Sequence, residues 1–248
     1  MSKLLISLSL ASTLAVSGSF ASSHQTSLSD LNANLDAAKV KATDVETAKP
    51  TIANTSESSN DSTQWTLPGI NPEALKLGLN AYNKLLKEGK THSPYLTIVD
   101  FTQSSANKRL TVINVPSHTI EMQTYVSHGS GSGDAMATRF SDEADTHASS
   151  LGVYITGASY DGKHGYSMHV EGLEKGINDN AAARDIEVHP AAYVSQSYAA
   201  ANGRVGRSWG CFAVSQQVST DLINQIKGGS VLFAYADQEQ QDPYVQTA

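Results

Sequence analysis

The chain has 248 residues, 40% of them hydrophobic, with a formal net charge of −7, which supports one sizeable core with a polar lead-in. Losing Lys3 with an N-terminal leader takes the 17 basic residues to 16 against 24 acidic ones, a formal −8; this argues against nucleic acid as a partner, because phosphate binding needs the opposite balance. A polymer carrying ammonium groups, or one of mixed charge, fits better, and the single cysteine, Cys211, excludes an internal disulfide.

In chain order, Lys3, the apolar run Leu4 to Val16 and the small-residue sequence Ser19-Phe20-Ala21 read as a secretory signal peptide over 1–21. The apolar run is shorter than the roughly 20 residues a membrane span needs, and no later run reaches that length. The expectation is an exported protein, periplasmic or associated with the cell envelope, with no transmembrane segment. Residues 22–65, rich in Ser, Thr, Asn, Asp and Ala, read as a flexible polar leader.

At Asn71-Pro72-Glu73 the pattern changes to a helix start: Asn71 suits the N-cap, Pro72 the first turn and Glu73 the positive end of the dipole. Leu75, Leu79, Tyr82 and Leu86 give an apolar stripe, and Gly89 suits the C-terminal cap. Strand-like runs follow at Leu96 to Phe101, Leu110 to Val115, Thr119 to Val126, Gly152 to Thr156, Tyr166 to Val170, Ile186 to His189 and Val231 to Tyr235. A helix is expected from Ser219 to Lys227, stopped by Gly228-Gly229, and a polar tail over 237–248. The domain over 66–236 is therefore expected to be mainly β with a few helices, an α+β arrangement preceded by one amphipathic helix.

The chemistry concentrates at Gly206-Arg207-Ser208-Trp209-Gly210-Cys211-Phe212. A glycine before the thiol lets backbone approach a substrate carbonyl, and amides in a tight turn can face a developing oxyanion. Arg207 places a positive charge nearby, favouring a thiolate and attracting a carboxylate. An unperturbed thiol, with a pKa of about 8.5, needs a base or a cation to react at neutral pH. His189, at the end of Ile186-Glu187-Val188, is the candidate, although spacing alone leaves His128, His164 and His169 open.

Asp100-Phe101, Lys108-Arg109-Leu110, Ser127-His128-Gly129 with Gly131-Ser132-Gly133, Ser149-Ser150-Leu151-Gly152, Gly162-Lys163-His164-Gly165, Asn178-Asp179-Asn180-Ala181, Arg184, Val188-His189, Tyr193-Val194-Ser195 and Arg207-Ser208-Trp209-Gly210-Cys211 come in one order. In this the chain, from about Leu96 to Tyr235, resembles the murein L,D-transpeptidases, in the second, YkuD-like type of that catalytic domain. The resemblance implies a β-sandwich catalytic domain with Cys211 as nucleophile and His189 as base. Arg207, Ser208, Trp209, Gly210, His128 and Gly129 become the candidate substrate-binding or oxyanion residues. It implies peptidoglycan stem peptides as substrate, with attack at the third residue of a tetrapeptide and a thioester intermediate. Transfer to an amine is L,D-transpeptidation; transfer to water is L,D-carboxypeptidase trimming. A wall-binding protein that keeps the fold without turnover is the third reading.

Two residues depart from the family pattern: Pro190, where glycine is usual, puts the orientation of His189 in question, and Phe212, where proline is usual, is expected at the pocket wall. No cofactor is implied. With neither His-Glu-x-x-His nor His-x-His present, a zinc site is not expected. Gly129 to Gly133 lacks the Lys-Ser/Thr of a phosphate loop and reads as a site-rim loop or hairpin connection. Asn178-Asp179-Asn180 reads as the cap of a short helix through Arg184, and Trp209 as either core or sugar platform. The sequence is silent on oligomeric state.

Overall fold

A computed structural model describes residues 65–246; the signal peptide and the polar leader up to residue 64 lie outside the described residues. The elements run α1 (Pro72–Lys87), β1 (Tyr95–Asp100), β2 (Leu110–Asn114), β3 (Thr119–Thr124), β4 (Gly152–Gly162), β5 (Gly165–Gly172), β6 (Glu187–Ala191), α2 (Gln196–Asn202), β7 (Phe212–Ser215), α3 (Ser219–Ile226) and β8 (Val231–Tyr235). A 3-10 helix (Asp237–Gln241) and α4 (Pro243–Gln246) follow.

The mainly β expectation holds. All eight strands belong to one sheet in the order β3-β2-β1-β8-β4-β5-β6-β7, so the layers of the expected sandwich are parts of one sheet curled on itself. Past β3, Val126 bridges Val214 of β7, and the Ser127 amide donates to the Ala213 carbonyl at 2.9 Å. The two edge strands thereby meet, which makes the sheet barrel-like and covers the edges that an open sheet would expose. β1 pairs in parallel with β8 and β6 in parallel with β7, and the other pairs are antiparallel.

Alternation along the central strands feeds two cores. Val99, Phe101, Leu232 and Ala234 face one cluster, with Tyr154, Val188 and Phe212 and with Leu222, Ile223 and Ile226 from α3. Leu96, Ile98, Val231, Phe233 and Tyr235 face the other, which α1 covers. Burial on both faces explains why β8 reads as an unbroken apolar run.

Asn71 caps α1 as expected, its side chain accepting from the Glu73 amide at 3.0 Å and the Ala74 amide at 3.4 Å. Leu75 and Tyr82 of the expected stripe are buried and Leu79 packs beside them, but the buried face extends to Ala74, Leu77, Ala81 and Leu85, and Leu86 is 45% exposed. Small side chains at 74, 78 and 81 let the helix sit close to the sheet, and a search for large apolar residues passes over them.

Other differences have local causes. Residues 178–184 form successive turns, not a capped helix. Asn178 Nδ2 donates to the Leu151 and Val153 carbonyls, and its Oδ1 accepts from the Glu174 amide at 2.9 Å, an alternative that competes with helical hydrogen bonds. The short β7 and α2 were not expected. The latter has no apolar stripe and is held by caps, Ser195 Oγ accepting from the Tyr198 amide at 3.1 Å and Gly203 in a left-handed conformation. The expected polar tail packs on α1 instead, with Val245 fully buried and Asn80 Nδ2 donating to the Val245 carbonyl at 2.9 Å. No helix among the described residues is long and apolar enough to cross a membrane.

Candidate active site

The parallel ladder between β6 and β7 places the thiol and the imidazole on one face of the sheet, two positions apart in register. Val188 pairs with Phe212 and His189 with Ala213, and Cys211 ends the turn that feeds β7. Extended by one residue, that register sets Cys211 beside Glu187, on the face that also carries His189. Glu187 pairs with His169 of β5. His169 stacks on Tyr160, with centroids 4.3 Å apart, and the Tyr160 hydroxyl donates to the Glu187 carboxylate.

The turn before Cys211 is built for a close approach. Gly210 has φ +124°, and a Cβ there would stand 2.7 Å from Ile186 Cδ1 and 2.9 Å from the Ala148 carbonyl oxygen; any side chain is excluded by space and by backbone conformation. Ser208 braces the turn from within. Its Oγ donates to the Cys211 carbonyl at 2.7 Å and accepts from the Gly210 amide at 3.2 Å. Both groups are thereby engaged, so neither the Ser208 hydroxyl nor the Gly210 amide is the free donor that the sequence suggested.

Cys211 is half-buried, with Sγ 3.4 Å from the Asp185 carbonyl that accepts its proton. Asp185 has φ +52°, a conformation uncommon outside glycine. Burial pushes the thiol up to about 11; the Glu187 backbone amide opposes this, the Glu187 carboxylate adds to it, and Lys163 opposes it. His189 is buried, and its Nδ1 lies 3.0 Å from the Pro190 carbonyl oxygen, so Nδ1–H donates and Nε2 is left as the basic nitrogen. Burial lowers the imidazole below its ordinary value, against the pull of the Pro190 carbonyl. The resting pair is therefore a neutral thiol and a neutral imidazole.

The two departures from the family pattern fall where they do little harm. Pro190 supplies the carbonyl that orients His189, and a proline keeps that group. The β5–β6 ladder has ended at Val188, before Pro190. Phe212 is not at a pocket wall: it is 1% exposed, and its ring stands edge-on to Tyr154 with centroids 5.4 Å apart. Strand alternation turns it into the core.

Two other expected site residues serve the scaffold. His128 is fully buried, its Nδ1 2.7 Å from an Arg109 guanidinium nitrogen. Burial first, then Arg109, hold the His128 imidazole down at about 4. Gly129 pairs with Ser208, and a Cβ there would lie 2.2 Å from the His147 carbonyl oxygen. The Gly129 to Gly133 loop thus packs directly on residues 146–149 beside the nucleophile turn.

The remaining expected site residues stand at the surface. Arg207 is exposed and donates to the Gly133 carbonyl at 3.0 Å, with Asp134 Oδ1 at 3.5 Å. Trp209 is 73% exposed and stacked on His147 with centroids 4.6 Å apart, which removes its core reading. His164, in the β4–β5 turn, stacks on His189 at 4.4 Å. Glu187 and Tyr160 were not singled out as site residues. They meet from separate strands, although the alternation of Glu187 and His189 along β6 already put those two on one face.

A mainly β domain with a half-buried thiol and an imidazole on adjacent parallel strands defines the class. The family model for the L,D-transpeptidase catalytic domain matches residues 66–235, and the chain belongs to that family. No curated protein matches it. Among solved structures it is similar to an L,D-transpeptidase from Mycobacterium smegmatis, at 13% identity over 58% of this chain and 59% of that one, TM-score 0.36. It is also similar to the L,D-transpeptidase of Xylanimonas cellulosilytica, at 14% identity over 62% and 68%, TM-score 0.35. L,D-transpeptidase 1 of Mycobacterium tuberculosis matches at 11% identity over 58% and 62%, TM-score 0.33. The alignment with the first of these spans about three-fifths of its length, and the family assignment rests on the sequence match.

Proposed function

We propose that this protein is an exported cysteine acyltransferase that performs L,D-transpeptidation on peptidoglycan stem peptides. The observation that supports this reading is the β6–β7 register, which sets Cys211 opposite Glu187, two positions before the His189–Ala213 pair and on the same face of the sheet. Family membership supplies the substrate class, and the signal-like sequence over 1–21 supports delivery to the envelope, where that substrate lies.

Because thiol and imidazole both rest neutral, the proton moves as the acyl bond forms. His189 Nε2 takes the Cys211 proton while Sγ attacks the carbonyl carbon of the third stem residue. The peptide bond to the terminal D-amino acid then breaks, and the imidazolium returns the proton to the departing amine. The stem is held as a thioester. An acceptor amine, deprotonated by His189, attacks that carbonyl, the C–S bond breaks, and the proton returns to the sulfur. The backbone amides of Cys211 and Glu187, both of which act on the sulfur, are the candidate donors to the developing oxyanion. Trp209 on its His147 support offers an exposed aromatic face to the incoming substrate.

Water in place of the amine gives L,D-carboxypeptidase activity at the same site. The test is to incubate the protein with tetrapeptide muropeptides, with and without an acceptor stem, and to separate the products by mass. Cross-linked dimers support transpeptidation; tripeptides without dimers, in the presence of acceptor, assign the protein to trimming; unchanged muropeptides refute both.

A further inference from the structure

The C-terminal segment closes over a group of carboxylates that the acyl-transfer chemistry does not use. Glu174 just past β5, Glu239 in the 3-10 helix and Asp242 after it each offer an oxygen within 4.8 Å of the others. Glu174 and Glu239 are each 4% exposed. Glu174 spends one oxygen on the Val153 amide. Its Oε2, Glu239 Oε2 and Asp242 Oδ2 have no hydrogen-bond partner among the described residues. The buried Tyr244 hydroxyl, which feels the charges of Glu174 and Asp242, is also without one.

Buried polar atoms are nearly always satisfied, and buried charges are paired or bound to metal. Here the charged groups acting on Glu174 and Glu239 are only other carboxylates. Lys84, the cation at this end of α1, is engaged elsewhere, donating to the Tyr244 carbonyl at 3.2 Å and lying 3.5 Å from the Tyr244 ring centroid. Two buried side chains therefore aim unpartnered carboxyl oxygens into one small region, and a cavity of about 370 Å³ lined by Asp142, Glu239 and Asp242 adjoins it.

We propose that Glu174, Glu239 and Asp242 bind a divalent cation of the oxygen-preferring kind, calcium before magnesium, and that it clamps the segment Asp237–Gln246 to the sheet. The donor set is all oxygen, without nitrogen or sulfur, which suits a hard cation. Calcium takes 6–8 oxygens in irregular geometry, leaving places for waters from the adjoining cavity, whereas magnesium demands near-octahedral ligation. The ligands lie 65 and 68 residues apart along the chain from Glu174, so no sequence motif announces them.

The test uses the full chain, stripped with EDTA and dialysed. Calcium chloride at 1 mM should raise the melting temperature by roughly 5 °C or more, as ligand linkage predicts for a site far above its Kd, with a smaller rise from magnesium. Terbium should bind at one equivalent, show tyrosine-sensitised emission through Tyr244, and be displaced by calcium. E239Q and, at the half-buried ligand, D242N should each lose the calcium-dependent rise and the sensitised emission while keeping wild-type circular dichroism and thioester formation. No melting shift and no terbium displacement at millimolar calcium in the wild-type chain would overturn the proposal. So would an undiminished calcium response in D242N.

Discussion

At the scale of single residues, the proposed mechanism starts from a neutral thiol at Cys211 and a neutral imidazole at His189. Cys211→Ser should abolish thioester formation with unchanged circular dichroism, because the exchange alters one atom of a half-buried side chain. His189→Ala should slow acylation by about 10² to 10⁴-fold, the usual worth of general-base assistance. His164→Ala, which removes only the ring stacked on His189, should leave most of the rate. Single-turnover acylation by a carbapenem, followed by intact mass, reads all three; equal rates for His164→Ala and His189→Ala would move the base. Because burial lowers His189, its neutral form persists below the ordinary histidine value of about 6.5. Acylation should therefore reach half its plateau rate at a pH below that ordinary value, and a half-rate point at or above about pH 6.5 would contradict the buried-base geometry.

Pro190 is a second residue-scale test. Since the group that orients His189 is a carbonyl, Pro190→Gly should leave the acylation rate unchanged and cost about 1 kcal/mol through greater freedom of the unfolded chain. Faster acylation in that variant would show that the proline distorts the site. His128 tests the scaffold. Its value of about 4 in the fold, against about 6.5 unfolded, means that the unfolded chain takes the proton first. This group's contribution is intact above pH 6.5 and is lost as pH falls from 6.5 towards 4, about 3 kcal/mol in all. Titration of the His128 imidazole by NMR should show no transition near 6.5; one there would remove the buried Arg109–His128 pair from the account.

At the scale of elements, α1 and the nucleophile turn carry separable stability. Asn71→Ala should lower unfolding free energy by about 1 kcal/mol through the lost cap without touching acylation, as measured in urea. Gly210→Ala should do more, since it forces a Cβ against the Ala148 carbonyl and an unfavourable φ, and should depress both stability and acylation. The elements readable in the sequence were those with strong periodicity or punctuation: α1 by Asn71-Pro72 and β8 by its apolar run, both in place. Those missed lack an apolar period of helical or strand length. α2 is fixed by Ser195 and Gly203, β7 is four residues long, and residues 178–184 are diverted into turns by the Asn178 side chain. The stripe on α1 was right at Leu75 and Tyr82 and wrong at Leu86, because the buried face runs on through Ala74, Gly78 and Ala81.

At the scale of the whole molecule, the family resemblance pointed to Cys211 and His189, and the β6–β7 ladder puts these positions, 22 residues apart in sequence, on one face of the sheet at a two-residue offset. Chain order could not reveal which neighbours serve the scaffold. Ser208 and His128 resemble site residues in sequence, yet Ser208 Oγ is bound within its own turn and His128 is fully buried with Nδ1 against Arg109. Glu187 and Tyr160 stand beside the thiol with no motif to mark them. Nor could it show that the last residues fold back on α1, which periodicity cannot register in so short and polar a segment. The central claim is that Cys211 accepts the stem-peptide acyl group, and intact-protein mass analysis after mixing with a tetrapeptide stem tests it most directly. The account predicts an adduct of the stem less its terminal D-amino acid, matched by release of that amino acid, in the wild-type protein and not in Cys211→Ala. An unmodified wild-type protein with no amino acid released, or the same adduct in Cys211→Ala, would contradict it.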